Sequence, residues 1–154
     1  IEDLLVLARE GKAVTDVETV DLATMVDSCW ANVDTADAGL LVDISRSIRA
    51  DKSRLKQVFE NLFRNAVEHG GEDVTVTVGE LENGFYIEDD GPGIPDETRE
   101  EVFEVGYSTG QAGTGFGLSI VAEIVEAHEW DIRLTGGNEG GARFEITGVE
   151  FVDQ

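Results

Sequence analysis

The feature that most constrains the fold is a long amphipathic segment from Asp51 to about His69. On a helical wheel of 100° per residue, its large apolar side chains fall on one stripe, which is typical of a helix packed on a sheet. Asp51 is a good N-cap residue, and Gly70-Gly71 is a natural helix end. Because a helix with one apolar face needs a second layer to cover it, this segment predicts a domain of at least two layers. The stripe consists of Leu55, Val58, Phe59, Leu62, Phe63 and Ala66.

Segments with strand-like composition surround this helix. Valines at 74, 76 and 78 alternate with threonines, and Asn83-Gly84 predicts a hairpin leading into a strand from Phe85 to Asp89. The predicted fold class is α/β, a two-layer sandwich of one mixed β-sheet covered by three helices. The other predicted elements are strands at 14–20, 40–44, 132–135 and 143–147 and helices at 22–33 and 114–128.

The composition excludes several classes of function. The chain has 154 residues and a formal net charge of −22, so it offers no basic surface to nucleic acid or to an anionic membrane. A single cysteine, Cys29, excludes an internal disulfide and a zinc site built from several thiolates. Acidic residues are spread along the whole chain, which favours a halophilic source, where salt screens the self-repulsion. The start at Ile1 and the lack of a signal-peptide pattern lead us to expect a cytoplasmic piece of a longer parent, with or without a membrane anchor.

Polar side chains lie beside the apolar stripe of the long helix. Asn61, Asn65 and Glu68 are spaced by four and three residues, so they share one face. Asparagine is unfavourable inside helices, and the pair is either two border amides or an amide oxygen offered to a hard cation such as Mg²⁺. His69 is either a C-terminal capping residue or a nucleotide contact. For His128 we expect a helix C-terminal position favoured by the helix dipole.

Two glycine-rich segments supply the rest of a candidate nucleotide site. In the segment EDDGPGIP, Asp89 stands at a strand end, where a carboxylate can accept a hydrogen bond from an exocyclic amine. Gly91 and Gly93 would let a flat ring approach the backbone. The segment Gly113–Ile120 runs into a helix whose free N–H groups can cradle phosphate. It is neither a P-loop nor a dinucleotide fingerprint, and each segment alone is also compatible with an ordinary turn or helix entry.

The order of these motifs resembles the GHKL superfamily of ATP-binding domains and, within it, the catalytic domain of sensor histidine kinases. The resemblance implies a Bergerat-type ATP-binding fold, in which residues 12–154 are the catalytic domain and residues 1–11 are the end of a dimerisation helix and its linker. It covers about residues 12–150 and is carried by five segments, namely Asn61–Ala66, Asp89–Ile94, Val102–Glu104, Gly113–Ile120 and Gly136–Phe144.

The resemblance also implies site roles, with ATP and Mg²⁺ as cofactors. Asn65 would hold Mg²⁺ on the phosphates with support from Asn61, and Asp89 would bind the adenine amine. Residues 103–114 would form a mobile lid. The other implied nucleotide-binding residues are Glu68, His69, Gly91, Gly93, Gly113, Thr114, Gly115, Phe116, Gly117 and Leu118.

Asn61 favours a kinase over an ATPase. Members of the superfamily that hydrolyse ATP carry a glutamate four residues before the magnesium asparagine, as general base for water, and an amide cannot take that proton. We therefore expect transfer of the γ-phosphate to a histidine on a dimerisation domain absent from this chain. The expected partners are the phosphoacceptor helices of the same kinase and a response regulator, with no nucleic acid. The isolated chain is expected to be monomeric, to bind ATP and not to phosphorylate itself.

Two other functions stay open at this point. One is an ATP-driven conformational switch of the gyrase or chaperone type, and the other is a nucleotide-binding module without catalysis. The second is raised by departures from the family pattern, because Glu68 stands where a basic residue is common and residues 103–114 contain no Lys or Arg. Ala142 replaces a common threonine, so one polar contact is expected to be missing.

Overall fold

The computed structural model describes residues 17–33, 38–70, 73–91, 117–136 and 141–152. Within these ranges it forms an α/β sandwich with three helices over a mixed sheet, so the predicted fold class is confirmed. The elements in chain order are β1 (Val17–Asp21), α1 (Leu22–Asn32), β2 (Gly39–Asp43), β3 (Ser47–Asp51), α2 (Lys52–Gly70), β4 (Thr75–Leu81), β5 (Gly84–Asp89), α3 (Gly117–Ala127), β6 (Asp131–Gly136), β7 (Ala142–Thr147) and β8 (Phe151–Val152).

The main sheet has five strands in the order β2-β4-β5-β7-β6. β2 and β4 are parallel, and the other neighbours are antiparallel. Parallel strands cannot be joined by a tight turn, and here the crossover contains β3 and α2. β5 lies at the centre of the sheet, so its carboxyl end is flanked by strands on both sides.

Helix α2 is the centre of the helical layer and contacts both α1 and α3. All six residues of its predicted apolar stripe are buried. The Phe59 ring centroid lies 5.8 Å from that of Phe63 and 5.4 Å from that of Phe85 on β5. Trp30 of α1 meets Phe63 edge-on at 5.2 Å, so the tryptophan is a packing residue.

A second, three-stranded sheet was not predicted. It has the order β1-β3-β8, and all its pairs are antiparallel. β3 contains one large apolar residue, Ile48, and β8 has only two residues, so neither carries a local alternating pattern. These strands form because pairing with β1 and with each other satisfies their backbone groups.

Most predicted element ends are confirmed. Asp21 caps α1 by accepting from Thr24 N at 3.3 Å, and Asp51 caps α2 by accepting from Arg54 N at 3.3 Å. The β4–β5 hairpin forms one residue earlier than its Asn-Gly signal, because Gly84 already pairs with Leu81. A Cβ at Gly84 would overlap the Ile146 carbonyl oxygen on β7, so this glycine is needed for close strand approach.

Among the described residues, no helix combines the length and the apolarity needed to cross a membrane.

Candidate active site

The carboxylate of Asp89 closes the central strand β5 and is buried, at 8% exposure. Its Oδ1 accepts hydrogen bonds from the backbone N–H of Gly91 at 2.9 Å and from that of Ala142 at 3.3 Å. Within the described ranges Oδ2 has no hydrogen-bond partner. The carboxylate is therefore held in one orientation by two backbone donors.

Burial raises the pKa of Asp89, and the negative charges of Asp90 and Glu88 raise it further. The two backbone hydrogen bonds act in the opposite direction without cancelling the effect of burial. An ionised Asp89 is thus destabilised in the free protein. A ligand that donates a hydrogen bond to Oδ2 would relieve part of that cost.

Gly141 lies directly against Asp89. A Cβ at this position would overlap the Asp89 carbonyl oxygen and would lie 2.6 Å from Oδ1. The absence of a side chain lets the start of β7 reach the carboxylate, which brings the Ala142 N–H within hydrogen-bond distance. Ala142 thus contributes a backbone contact, although it lacks the hydroxyl group of a threonine.

An ion-pair cluster on β5 and β7 fixes the strands next to this site. Arg143 donates to Glu88 at 3.0 Å and to Glu145 at 2.8 Å, and its guanidinium carbon lies 3.9 Å from the Tyr86 ring centroid. Glu88 and Arg143 are directly paired in the sheet. Glu88 precedes Asp89 and Arg143 follows Ala142 in the sequence, so this ion pair holds the strand register in which the Ala142 N–H meets Asp89.

The two asparagines of α2 are in different states. Both are half-buried. Asn61 Oδ1 accepts from Arg64 Nη1 at 3.1 Å, whereas the Asn65 amide makes no hydrogen bond within the described part of the chain. Among the described residues, the oxygen of Asn61 is thus engaged and that of Asn65 is not. Glu68 and His69 belong to α2, but their side chains lie outside the described part of the structure.

Helix α3 runs back along α2. The two helices pack together, and His128, just after α3, contacts Asp51, just before α2. The eleven residues of α3 span about 16 Å at 1.5 Å per residue. The same length measured along α2 from Asp51 covers about ten residues and ends near Asn61. The first turn of α3, with Gly117 and the half-buried Leu118, therefore lies toward the half of α2 that carries Asn61 and Asn65.

Several predicted residues lie outside the described ranges. These are the lid at 103–114, the segment 1–11 and the site residues Gly93, Gly113, Thr114, Gly115 and Phe116. The functional roles of all the site residues stay predictions.

His128 departs from expectation. Its position after α3 is as predicted, but burial lowers its pKa, so it is not a cation favoured by the helix dipole. Its Nδ1 lies 2.8 Å from the Ile124 carbonyl oxygen, and its Nε2 lies 3.0 Å from the Asp51 backbone N. The contacts of His128 with Asp51 and of Gly141 with Asp89 had no local signal, because each joins residues distant in the sequence.

Comparison with known proteins agrees with this geometry. The signal transduction histidine-protein kinase AfsQ2 of Streptomyces coelicolor is 32% identical over 95% of this chain and 29% of its own length. Sporulation kinase E of Bacillus subtilis is 30% identical over 96% of this chain and 21% of its own length. The chain thus spans less than a third of the length of these two relatives.

Solved structures show the same fold. The mycobacterial sensor histidine kinase MprB superposes with a TM-score of 0.75 at 26% identity, over 87% of this chain and 97% of that one. Full-length ShkA in complex with AMPPNP gives a TM-score of 0.77 at 26% identity, over 99% of this chain and 36% of that one. Residues 50–149 match the family described as histidine kinase-, DNA gyrase B-, and HSP90-like ATPase, and the chain belongs to that family.

Proposed function

We propose that this chain is the ATP-binding catalytic domain of a two-component sensor histidine kinase and transfers the γ-phosphate of ATP to a histidine on dimerisation helices of its parent protein. The observation that carries this proposal is the Asp89 carboxylate, which is buried and fixed by two backbone N–H groups, and whose Oδ2 has no donor among the described residues. The curated relative AfsQ2, which matches 95% of this chain, is named as a signal transduction histidine-protein kinase.

Asp89 is suited to recognise adenine. Its ionised carboxylate is an acceptor only, so Oδ2 can take a hydrogen bond from the exocyclic amine of adenine. The carbonyl that guanine carries at the equivalent ring position would face a second acceptor and be rejected. Gly91 and Gly141 keep side chains away from the carboxylate, and Gly93 is proposed to continue this flat surface for the base.

The phosphates are proposed to lie between α2 and the start of α3. The Asn65 amide oxygen fits one coordination position of Mg²⁺, an ion that usually takes one or two protein oxygens together with substrate phosphates and water. Bound Mg²⁺ would neutralise charge on the phosphates. Free N–H groups at Gly117 and Leu118 would hold phosphate oxygens. We propose that Glu68, His69 and residues 113–116 complete this wall.

Asn61 argues for transfer to an external nucleophile. An amide cannot act as a general base for water, and its oxygen is already bound by Arg64. The site would then position ATP and leave the attacking group to a histidine of the dimerisation helices. A response regulator would accept the phosphoryl group afterwards. We further propose that residues 12–154 form the catalytic domain, in the cytoplasm of a halophile.

Two measurements test this function. Calorimetric titration with AMPPNP should show binding that weakens at least about tenfold when EDTA removes Mg²⁺, and equal affinity in EDTA would contradict the magnesium role. In the second, dimerisation helices of the parent are added with radiolabelled ATP, and acid-labile phosphohistidine should appear on them. Sustained phosphate release by the chain alone would instead favour an ATP-driven switch, and binding without transfer would favour a module without catalysis.

A further inference from the structure

His128 connects the end of α3 to the start of α2. Its Nδ1 lies 2.8 Å from the Ile124 carbonyl oxygen, and its Nε2 lies 3.0 Å from the Asp51 backbone nitrogen. A carbonyl can only accept and a backbone N–H can only donate, so Nδ1 must carry the proton and Nε2 must be the acceptor. The neutral ring satisfies both bonds, whereas an imidazolium ion carries a proton on Nε2 that opposes the Asp51 N–H.

The ring is held rigidly at this junction. It stacks on Trp130 with centroids 4.1 Å apart and planes 24° apart. The Asp51 side chain caps α2 through Arg54 N, and its Oδ2 lies 3.7 Å from Arg54 Nε. His128 therefore acts on the backbone of the same residue whose side chain begins α2.

Burial is the largest effect on the pKa of His128 and lowers it. The hydrogen bond to the Ile124 carbonyl and the charge of Asp51 raise this pKa, and the charge of Arg54 lowers it, with a net downward shift. Glu126 and Glu129 belong to the same helix end, and Asp131 begins β6. In the folded domain the neutral form is thus favoured, and acid converts it to the charged form.

We propose that His128 is a pH-sensitive positioning residue, which docks α3 on α2 in its neutral form and releases the Asp51 N–H when it is protonated. Because α2 carries Asn65 and α3 begins at the proposed phosphate cradle, release of α3 weakens nucleotide binding. This second consequence rests on the proposed function, and the docking itself does not.

Two substitutions separate charge from shape. His128→Gln places an amide oxygen where Nε2 accepts, so it keeps the bond to Asp51 and does not titrate. His128→Leu fills the space without an acceptor and mimics the acid form at every pH. The readouts are hydrogen exchange of the α3 amides, compared between variants at the same pH, and the Kd for AMPPNP in excess Mg²⁺ from pH 8 to pH 4.5, with the protonation of His128 followed by its NMR signals.

Wild type should lose α3 protection on acidification, and its Kd should rise about three- to tenfold more than that of His128→Gln, as expected for one lost hydrogen bond. The comparison cancels titration of the nucleotide phosphates. His128→Leu should bind weakly throughout, and the Asp51 amide resonance should titrate together with His128. Parallel pH profiles for wild type and His128→Gln would overturn the proposal. If wild type bound no nucleotide at any pH, the proposed function would fail, and amide exchange would still decide the docking role.

Discussion

At the scale of single residues, the candidate site is a carboxylate whose ionisation costs stability. The pKa of Asp89 is raised in the folded state, so the native protein binds more protons than the unfolded chain above the ordinary value of 3.8. Its contribution to stability therefore falls as pH rises through that window. A buried charge that opposes folding is typical of a binding site, and the lack of a donor to Oδ2 within the described ranges agrees with that interpretation.

Gly141→Ala should disrupt the site with little change in chemistry. The added Cβ would overlap the Asp89 carbonyl oxygen, so β7 must move away and the Ala142 N–H loses Oδ1. We expect AMPPNP affinity to fall at least about tenfold and unfolding free energy to fall by about 1–3 kcal/mol, measured by calorimetry and urea denaturation.

Gly39→Ala is the matched control, because a Cβ there meets only Thr75 Oγ1 at an ordinary 3.8 Å. It should leave affinity unchanged within about twofold. Equal losses in the two variants would show that the effect is general to the sheet and not specific to Asp89.

Glu129 is a site where substitution should stabilise the domain. Its φ is +65°, in the left-handed region, and the bonds Glu129 N to Glu126 O and Trp130 N to Val125 O form the turn that ends α3. Glycine adopts this conformation without the Cβ penalty, so Glu129→Gly should raise the unfolding free energy by about 0.5–1 kcal/mol. Urea denaturation measures it, and a loss of stability would contradict the capping account.

At the scale of elements, α1 packs tightly against α2. Cys29 of α1 is fully buried, and its Sγ lies 3.5 Å from Met25 Sδ and 3.7 Å from the Lys56 carbonyl oxygen of α2. Burial raises the pKa of the Cys29 thiol to about 12, with the Glu60 charge adding to the effect and the Lys56 charge opposing it. The thiol is therefore both inaccessible and protonated near neutral pH.

Alkylation of Cys29 should accordingly report the opening of α1. At pH 8 about one thiol in ten thousand would be ionised, so iodoacetamide should label native protein at least about a hundredfold more slowly than urea-unfolded protein. Mass spectrometry follows the reaction over time. Labelling of native protein at the rate of an unfolded chain would mean that α1 does not stay packed on α2.

Elements with strong local patterns were predictable, and contacts between distant residues were not. The apolar stripe of α2 and the alternating pattern of β4 can each be seen in a short stretch of sequence, and both elements are confirmed. β3 and β8 depend on partners elsewhere in the chain. Likewise the Asp89–Ala142 bond spans 53 positions and the Asp51–His128 bond spans 77. The residue types of the candidate site could be predicted, but the backbone donors that orient Asp89 could not.

At the scale of the whole molecule, the most prominent property is the large negative net charge. The sequence has 33 acidic and 11 basic residues, so most carboxylates have no cation to pair with. Some of the cations are also concentrated, as in the Arg143 cluster with Glu88 and Glu145. Repulsion among the remaining carboxylates opposes the compact state.

The melting temperature should therefore rise with salt. Between 0.1 M and 1 M KCl the screening length falls from about 10 Å to about 3 Å, and we expect Tm to rise by at least about 5 °C. Sucrose at matched osmolality is the control for excluded-volume effects. A melting temperature that is flat or falls in KCl would contradict both the repulsion argument and the proposed halophilic source.

The most direct test of the account compares AMPPNP binding to Asp89→Asn and Asp90→Asn in excess Mg²⁺. Both remove one negative charge, but Asp90 is exposed and its Oδ1 accepts from Thr75 N at 2.8 Å, a bond that an amide oxygen can keep. In Asp89→Asn the oxygen stays on its two N–H donors, and the amide nitrogen then faces the adenine amine, donor against donor. We predict at least about tenfold weaker binding for Asp89→Asn, with a Tm no lower than wild type, and a change within about twofold for Asp90→Asn. Equal affinity in the two variants would contradict the assignment of Asp89 as the adenine-binding residue.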